Sequence, residues 1–456
     1  MKRIVLVLLA ALALVVAAGC GERGAAPSPE GAGAPGLPEV FDASRVLREV
    51  CMVSELRKAD WLGEQVWLKL ESQQAVRSFK MRGAYYMVSR LDEAQRAKGL
   101  VTCSAGNHAQ GVAYAAQRFG CRATIFVPAS IPLPKLQALR SYSSADVRLV
   151  EGAFDDAQAE ALRFVEAEGG TYVPPFDHAD VVAGQGTVGL EIMRQLPDAE
   201  AVLVPIGGGG LAAGIATAVK ALNPGCKVYG VEPANANCME RAMAEGGRVT
   251  LDSASTLADG CAVKTPGVLT FDICRRLLDG VVSVSEEEIG AAVALLHQTG
   301  GIVAEGAGAL PTAALLSGKL PLEGKRTVCL VSGGNIDPAK LAELVEAHAV
   351  EGGRFADAVR RFDGDWLVEG RRFHAISFPT EASAVLLVQG GKANLGCGFF
   401  SMATADRLGE RWAVASAPTL ERLLDATVLE ASQAAQACGV VPGETTGREA
   451  LLRMER

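Results

Sequence analysis

The sequence predicts an α/β core built on parallel sheet, followed by a smaller α+β module. Short apolar runs typical of strands alternate with alanine-rich stretches of helical periodicity; the runs cover residues 100–103, 123–127, 201–206, 227–231 and 327–331. Continuous apolar runs of this kind are typical of parallel strands buried on both faces. We therefore expect a parallel sheet with helices on both sides.

The pattern changes after Val350. Residues 373–378 and 384–388 have the composition of strands, and after Pro418 four apolar residues recur at helical spacing: Leu420, Leu423, Leu424 and Val428. We predict a core domain over residues 38–348 and a C-terminal α+β module over residues 349–456.

Composition limits the possible partners. The chain has 456 residues, of which 49% are hydrophobic and 21% charged, so it can form two or three globular units. Its net charge of −8 provides no broad basic surface for phosphate backbones. We expect a small-molecule partner and no nucleic acid.

The N-terminus has the layout of a secretory signal over residues 1–20. Lys2 and Arg3 precede an apolar run, residues 4–18, that is too short for a comfortable membrane span. Small residues lead into Cys20 as in a bacterial lipobox, although Ala17 stands where leucine is usual. We expect acylation of Cys20 and an exported lipoprotein, anchored to the membrane and facing the periplasm or cell exterior. A plain cleaved signal, or a cytoplasmic protein that does not use this segment, are the alternatives.

Residues 21–37 are almost wholly Gly, Ala, Pro, Ser and Glu, which predicts a flexible linker. The cysteines after Cys20 show neither paired nor metal-ligand spacing, and most lie in apolar stretches. They are interpreted as small buried hydrophobic residues, which fits a cytosolic ancestry better than an oxidising compartment. This interpretation conflicts with the secretory signal.

Four segments carry chemistry. In residues 78–84, Lys80 follows Phe79 and precedes small residues. A lysine in an apolar pocket has a lowered pKa and can form a Schiff base. The simpler alternative is an exposed lysine at the start of a helix. In residues 205–211, four consecutive glycines join a strand to a helix, which predicts a phosphate-binding loop. No Lys-Ser or Lys-Thr follows, so this is not a nucleoside-triphosphate loop.

The other two segments also follow predicted strands. Residues 104–111 (SAGNHAQG) can bind a carboxylate or a ring hydroxyl, or act only as a helix cap, and residues 331–335 (VSGGN) close the last strand of the core. Open parallel sheets bind ligands at the carboxyl ends of their strands.

These segments, SFKMRGA, SAGNHAQG, VPPFDH with GQGT, GGGGLAAG and SGGN, resemble in this order the fold type II pyridoxal-5'-phosphate (PLP) enzymes, specifically the threonine dehydratases (threonine ammonia-lyases). The resemblance extends from about residue 45 to residue 340. It implies two open parallel-sheet lobes with the cofactor PLP between them, a homo-oligomer, and a place in amino-acid metabolism, with isoleucine biosynthesis as the expected pathway.

The resemblance also implies residue roles. The catalytic Lys80 forms the Schiff base, Phe79 packs against the pyridine ring, Asn107 contacts the ring hydroxyl and Ser332 faces the ring nitrogen. The amides of the glycine loop hold the phosphate; these are Gly207, Gly208, Gly209, Gly210 and Leu211. Ser104 and His108 are expected at the substrate carboxylate, although a histidine at a helix start is as often structural.

The resemblance implies dehydration and deamination of L-threonine to 2-oxobutanoate and ammonia, with L-serine and 3-hydroxyaspartate as further candidate substrates. A neutral serine facing the ring nitrogen makes the cofactor a weaker electron sink, which favours β-elimination over transamination. A serine racemase is the weaker alternative, since the family's second acid/base serine is matched by Ala105. A catalytically silent amino-acid-binding protein of the cell envelope is another alternative. The retention of Lys80, the four glycines and Ser332 together argues against it.

Two departures from the family pattern matter. The positions that hold a divalent cation in some relatives are matched by Glu232, Ala236 and Cys238. Sulfur is a poor ligand for Mg²⁺ or Ca²⁺, so we expect no such metal site, or at most a monovalent cation. The C-terminal module lacks the Asp-x-Pro-Gly turn of amino-acid-sensing domains. Its role stays open among allosteric, oligomerising and structural ones.

Overall fold

The computed structural model describes residues 33–348, 363–368, 371–379, 384–389, 393–396, 411–415 and 426–454. The chain divides into two compact units, Met1–His348 and Ala349–Arg456. The expected signal, residues 1–20, and most of the expected linker lie outside the described residues. Within the described ranges, no helix has the length and apolar character needed to cross a bilayer.

Ten strands form the sheets of the first unit: β1 (Leu56–Lys58), β2 (Val66–Leu70), β3 (Leu100–Cys103), β4 (Ala123–Pro128), β5 (Ala145–Val150), β6 (Thr171–Tyr172), β7 (Ala201–Pro205), β8 (Lys227–Pro233), β9 (Gly280–Val284) and β10 (Thr327–Val331). The five predicted strands are confirmed as β3, β4, β7, β8 and β10. The strands β1, β2, β5, β6 and β9 were not predicted.

Thirteen α-helices lie among the described residues of this unit: α1 (Leu37–Leu47), α2 (Lys80–Arg90), α3 (Glu93–Ala97), α4 (Asn107–Phe119), α5 (Leu133–Arg140), α6 (Phe154–Glu168), α7 (Ala179–Gln195), α8 (Gly210–Leu222), α9 (Cys238–Glu245), α10 (Val268–Leu277), α11 (Glu286–Gln298), α12 (Gly306–Leu316) and α13 (Pro338–Ala347). Short 3-10 turns cover Glu71–Gln73, Ala234–Ala236 and Asp259–Cys261.

The larger lobe is built on a six-stranded sheet of order β1-β2-β10-β7-β8-β9. Only β1 runs antiparallel to its neighbour; the other strands are parallel. Both faces are covered, because Leu203 packs into one core cluster while Val202 and Val204 pack into the other. This two-sided burial explains the continuous apolar runs in the sequence.

The smaller lobe is built on a four-stranded sheet of order β5-β4-β3-β6, in which every pairing is parallel. Helices α4 and α6 contact its strands. The prediction of two open parallel-sheet lobes is therefore confirmed.

The second unit contains strands β11 (Asp363–Val368), β12 (Arg371–Pro379), β13 (Ala384–Gln389), β14 (Ala393–Gly396), β15 (Arg411–Ala415) and β16 (Val428–Ala431), with helices α14 (Gln433–Ala437) and α15 (Gly447–Met454). The strands pair in chain order in one sheet, and β14 with β15 is the parallel pair. The α+β composition predicted for this module is confirmed. The predicted helix after Pro418 is wrong at Val428, which opens β16; Leu420, Leu423 and Leu424 lie outside the described residues.

Most cysteines of the described residues are buried and all of them are free, as expected: Cys103, Cys226, Cys238, Cys261, Cys274 and Cys329 are buried, and Cys51, Cys121 and Cys438 are partly so. Burial raises the pKa of Cys103 and Cys238 to about 12. These thiols stay protonated and act as small apolar side chains.

Candidate active site

Loops that follow the carboxyl ends of three strands meet between the two lobes. The loop after β3 leads into α4, the loop after β7 leads into α8, and residues 332–335 follow β10. The side chain of Asn335 donates a 2.8 Å hydrogen bond from Nδ2 to Oδ1 of Asn107, which joins the smaller lobe to the larger one. The predicted ligand-binding loops thus lie at the place where open parallel sheets bind ligands.

Lys80 is the first residue of α2, and its amine is held within the cleft. The Nζ atom donates a 2.7 Å hydrogen bond to the carbonyl of Pro175 and lies 5.3 Å from the centroid of the Phe79 ring. Removal of water around the amine lowers the pKa of Lys80 to about 8, although Cys261 and Glu305 oppose this effect. Part of the amine is therefore neutral near neutral pH, as a nucleophile or base requires.

The segment before Lys80 is fixed on the end of β10. The N–H of Phe79 donates to the carbonyl of Ser332, 3.1 Å, and Arg77 exchanges hydrogen bonds with Gly334 through its carbonyl and its guanidinium. Arg77 has a φ of 55°, the one positive φ of a non-glycine residue in the described part of the chain. This strained residue turns the chain so that α2 starts with Lys80 facing the cleft.

The tetraglycine loop connects β7 to α8. Gly209 has a φ of 96° and lies at the N-cap of α8, so the loop needs glycine there. Within the described chain, the N–H groups of residues 207–211 donate to no protein acceptor. Unpaired amides at the N-terminus of a long helix form an anion site.

The surroundings of this loop fit a phosphate group. A Cβ on Gly208 would lie 2.3 Å from the ring of Phe176, and one on Gly209 would lie 2.8 Å from Cε of Met239. The hydroxyl of Thr270 donates to the carbonyl of Gly208, 2.6 Å, which turns that acceptor away from the anion site. Side chains are therefore excluded from the cradle, and only backbone donors remain.

Asn107, predicted at the ring hydroxyl, opens α4 and belongs to a polar cluster. Its Nδ2 donates to Oε1 of Glu305, 2.6 Å, while its Oδ1 accepts from Asn335. Glu305 is buried, and burial followed by the charge of Asp259 raises its pKa to about 7. Ser332 is buried directly after β10, and its place opposite the ring nitrogen stays a prediction.

The two residues predicted at the substrate carboxylate occupy the start of α4. Ser104 is partly buried, and its Oγ accepts from the N–H of Gly106, 3.3 Å. His108 is buried, and its Nε2 lies 2.9 Å from the carbonyl of Val173. Burial lowers the pKa of His108 to about 3, so the imidazole is neutral and donates to that carbonyl. This contact fixes the strand end that precedes Pro175; a contact of His108 with substrate stays a prediction.

A buried network of charges supports the start of α2. Arg82 donates to both oxygens of Glu71, 2.7 and 2.8 Å, and to Glu191, 2.7 Å; Lys69 donates to Glu191, 2.6 Å. Burial by itself raises the pKa of Glu71, but the charge and hydrogen bonds of Arg82 more than offset it and hold the pKa below its usual value. Two cations and two carboxylates balance one another.

The residues that match the cation-binding positions of some relatives make hydrogen bonds within the protein. Glu232 is buried and accepts from the N–H groups of Met239, 2.9 Å, and Glu240, 2.8 Å, at the start of α9. The thiol of Cys238 lies 3.8 Å from the same carboxylate. Burial raises the pKa of Glu232 to about 8, which makes it a poor cation ligand at neutral pH. The expectation that no divalent ion binds stays a prediction.

An ion pair joins the two lobes near the glycine loop. Lys135 on α5, in the smaller lobe, contacts Asp259 in the 3-10 turn of the larger lobe. The same turn lies against the glycine loop, since a Cβ on Gly207 would be 3.0 Å from Cα of Cys261. Both charged groups are partly exposed, so this pair is open to solvent and salt.

Sequence reasoning did not identify Glu305 or the carbonyl of Pro175, and it assigned no role to Asn335. The signal for Glu305 was present: a single carboxylate stands in an otherwise apolar and small-residue stretch, residues 302–309. No sequence signal marks a carbonyl that accepts from Lys80.

A lysine of lowered pKa beside a glycine cradle for phosphate, between two open parallel-sheet lobes, defines the class of enzymes that hold a phosphorylated aldehyde cofactor on a lysine. Residues 52–333 match the family described as pyridoxal-phosphate dependent enzyme. The chain belongs to this family of PLP-dependent enzymes. Residues 396–454 match a domain of unknown function, DUF1805.

Three known proteins illustrate what this chain is similar to in sequence and structure. The chain is 44% identical over 322 residues to the L-threonine ammonia-lyase of Thermotoga maritima, which covers 70% of this chain and 80% of the relative. The structure of threonine deaminase isoform 2 from Solanum lycopersicum superimposes with a TM-score of 0.64 at 39% identity, over 72% of this chain and 99% of that one. Maize serine racemase superimposes with a TM-score of 0.65 at 30% identity, over 69% of this chain and 98% of that one.

Proposed function

We propose that this chain is a PLP-dependent L-threonine ammonia-lyase that converts threonine into 2-oxobutanoate and ammonia, with L-serine, which yields pyruvate, as a further substrate. The observation that carries the chemistry is the position of Lys80, whose amine is held by a carbonyl and has no carboxylate ion-pair partner in the described chain. The choice of threonine is supported by the 44% identity to the Thermotoga maritima L-threonine ammonia-lyase.

The residues present fit the cofactor. The amides of the glycine loop, Gly207 to Leu211, would hold its phosphate, Lys80 would hold its aldehyde carbon, and Asn107 and Ser332 would face its ring. When bound, PLP withdraws electrons from the amino acid attached to it and so acidifies the Cα–H.

Lys80 serves as the base. Burial keeps part of its Nζ unprotonated near neutral pH, so the atom can take the Cα proton, and Pro175 accepts one of its N–H groups and orients it. The 2.7 Å hydrogen bond to the Pro175 carbonyl positions Nζ without the carboxylate partner that would keep the amine protonated. The same geometry restricts Nζ to one side of the cleft.

The start of α4 positions the substrate. Its N-terminal amides and the Oγ of Ser104 provide an anion site for the amino-acid carboxylate. His108 stays neutral and holds the Val173 carbonyl, so the wall of the cleft that carries Pro175 keeps its place. Protein groups thus bind one end of the substrate and orient its Cα toward Lys80.

A serine racemase is the second candidate, favoured by the maize serine racemase neighbour. Racemisation needs an acid/base on the side of the substrate opposite to Lys80. Ala105 matches the family's serine at that position, and its methyl group can neither donate nor accept a proton. The threonine assignment is better supported, because the relatives named as threonine ammonia-lyase or threonine deaminase are more similar to this chain in sequence.

The deciding experiment follows the absorbance of the cofactor and the formation of 2-oxobutanoate and ammonia by the purified protein with L-threonine. We expect a cofactor band and product with the wild type, and loss of both covalent cofactor and product in Lys80→Ala. The exposed Lys340→Ala serves as the control and should behave like the wild type. A wild-type cofactor band without keto acid from threonine or serine would contradict the lyase and favour an amino-acid-binding protein.

We propose in addition that the chain is exported and anchored through acylated Cys20, and that it assembles as a homo-oligomer. The apolar run at residues 4–18 and the small residues before Cys20 support the first. The family resemblance supports the second.

A further inference from the structure

Glu305 belongs to a chain of three side chains that reaches the site from the larger lobe. Glu305 is the N-cap residue of α12, Asn335 follows β10, and Asn107 opens α4 in the smaller lobe. Nδ2 of Asn107 donates to Glu305, 2.6 Å, and Nδ2 of Asn335 donates to Asn107, 2.8 Å. A carboxylate at a helix N-cap is ordinary, but this one makes no side-chain capping bond to α12.

The acceptors at the two ends of this chain determine how both amides are oriented. Nδ2 of Asn335 also donates to the carbonyl of Val76, 2.9 Å, which can only accept. Asn335 therefore presents N–H to Asn107, and the atom of Asn107 that faces it must be oxygen. An ionised Glu305 can only accept, so the other atom of Asn107 must be nitrogen.

This arrangement leaves one N–H of Asn107 without a partner among the described residues. Oδ1 of Asn107 is engaged by Asn335, and one hydrogen on Nδ2 is engaged by Glu305. This remaining N–H of Asn107 is available to donate to a group in the cleft. A ring oxygen of the cofactor placed there would have to be an acceptor.

Glu305 holds this orientation most strongly while it is ionised. A protonated carboxyl group is a weaker acceptor and can itself donate, and charge-assisted hydrogen bonds are roughly twice as strong as neutral ones. The groups that face the carboxyl are Asp259, Lys135, Cys261 and Lys80. Burial and then Asp259 raise its pKa, while Asn107, Lys135 and the main-chain N–H of Asn335 lower it, and the result is about 7.

We propose that Glu305 is a positioning residue that holds Asn107 as a hydrogen-bond donor to the cofactor ring oxygen, and that this hold weakens when the carboxyl group is protonated. The inference rests on the proposed function only in so far as the cofactor is PLP. It does not require that threonine be the substrate.

The test uses the full-length holoenzyme without substrate and follows the cofactor absorbance from pH 5.5 to 9. For the wild type we expect a spectral transition with a midpoint near pH 7, because the electronic state of the ring depends on the donor at its oxygen. Glu305→Gln keeps an amide oxygen as acceptor for Asn107 and does not titrate. It should abolish the transition while cofactor affinity stays within about threefold.

Two further variants separate positioning from structure. Glu305→Ala should weaken cofactor affinity about tenfold, as expected for loss of one charge-assisted hydrogen bond, with Glu305→Gln restoring it. The exposed Glu346→Gln should leave spectrum and affinity unchanged. If Glu305→Ala does not fold, the spectral titration of Glu305→Gln decides.

A wild type without a transition between pH 6 and 8, or a Glu305→Gln enzyme that retains it, would overturn the proposal. A Glu305→Ala protein with unchanged cofactor affinity would do the same. Because no threonine is present, these results are independent of whether the protein turns threonine over.

Discussion

The chemical difference between Lys69 and Lys80 arises from their partners. Burial lowers the pKa of both lysines. Lys69 lies 2.6 Å from Glu191 in a balanced network, whereas Lys80 has a carbonyl as its hydrogen-bond acceptor. A carboxylate partner keeps a lysine charged, and a carbonyl lets it lose its proton at little cost. Lys69 is therefore structural and Lys80 reactive.

Replacement of Lys69 by methionine should lower the free energy of unfolding by roughly 3 kcal/mol, because it leaves a buried negative charge uncompensated in the network of Glu71, Arg82 and Glu191. Urea unfolding of the cofactor-free protein, followed by circular dichroism, measures this. Lys340→Met removes an exposed pair with Glu343 and should change the value by less than about 0.5 kcal/mol. Equal effects of the two variants would contradict the structural importance of the network.

At the scale of single residues, the sequence predicted the place of Lys80 and the glycines but not the partners of Asn107. Lys80 and the tetraglycine loop adjoin strands that local patterns reveal. Glu305 and Asn335 contact Asn107 although they lie 198 and 228 positions after it in the chain. Such contacts depend on strand order, which one sequence does not display.

At the scale of elements, the strand-loop-helix unit around Gly209 combines two demands on the backbone. The positive φ of Gly209 turns the chain into α8, and its missing side chain leaves room for Met239 and Thr270. Gly246, which ends α9, also has a positive φ of 74°, but a Cβ there would meet nothing within 4 Å. The two glycines differ in surroundings and share a backbone conformation.

Gly209→Ala and Gly246→Ala should each cost about 1 kcal/mol of stability, because both force alanine into the left-handed region. Only Gly209→Ala should also weaken cofactor binding, by at least about tenfold, since the clash with Met239 and Thr270 distorts the phosphate cradle. Fluorescence titration of the cofactor-free proteins with PLP measures this. Similar affinities for the two variants would show that the loop tolerates a side chain.

Strand prediction succeeded where an apolar run covers most of the strand, and it failed where a charged residue interrupts the run or the strand lies at a sheet edge. The run of β2 is interrupted by the buried Lys69, its fourth residue, and β5 is an edge strand with exposed Arg148 and Leu149. A charged residue breaks the apolar pattern that identifies a buried strand, and the distant partner that allows its burial cannot be recognised from the sequence. The prediction at Val428 was wrong for another reason. Helical spacing over a few apolar residues can arise by chance, and here its last residue is the first residue of β16.

At the scale of the whole molecule, the proposed anchor implies that Cys20 determines where the protein is found. Wild-type protein should appear in the membrane fraction, and globomycin should block its processing. Cys20→Ser should remove lipidation and leave the membrane fraction, whereas Cys51→Ser should have no effect on it. Wild-type protein that retains Met1 and stays in the soluble cytosolic fraction would contradict export.

The order of strands in the larger sheet also has a consequence for biosynthesis. Strand β2 pairs along its whole length with β10, and the segment that carries Lys80 docks on Ser332 just beyond it. While a ribosome is still translating the residues between them, β2 has no parallel partner and Lys80 has no fixed position. The cofactor site therefore arises only after Ser332 has left the ribosome. Prematurely terminated chains that lack β10 should emerge with the lysine but without a place for PLP.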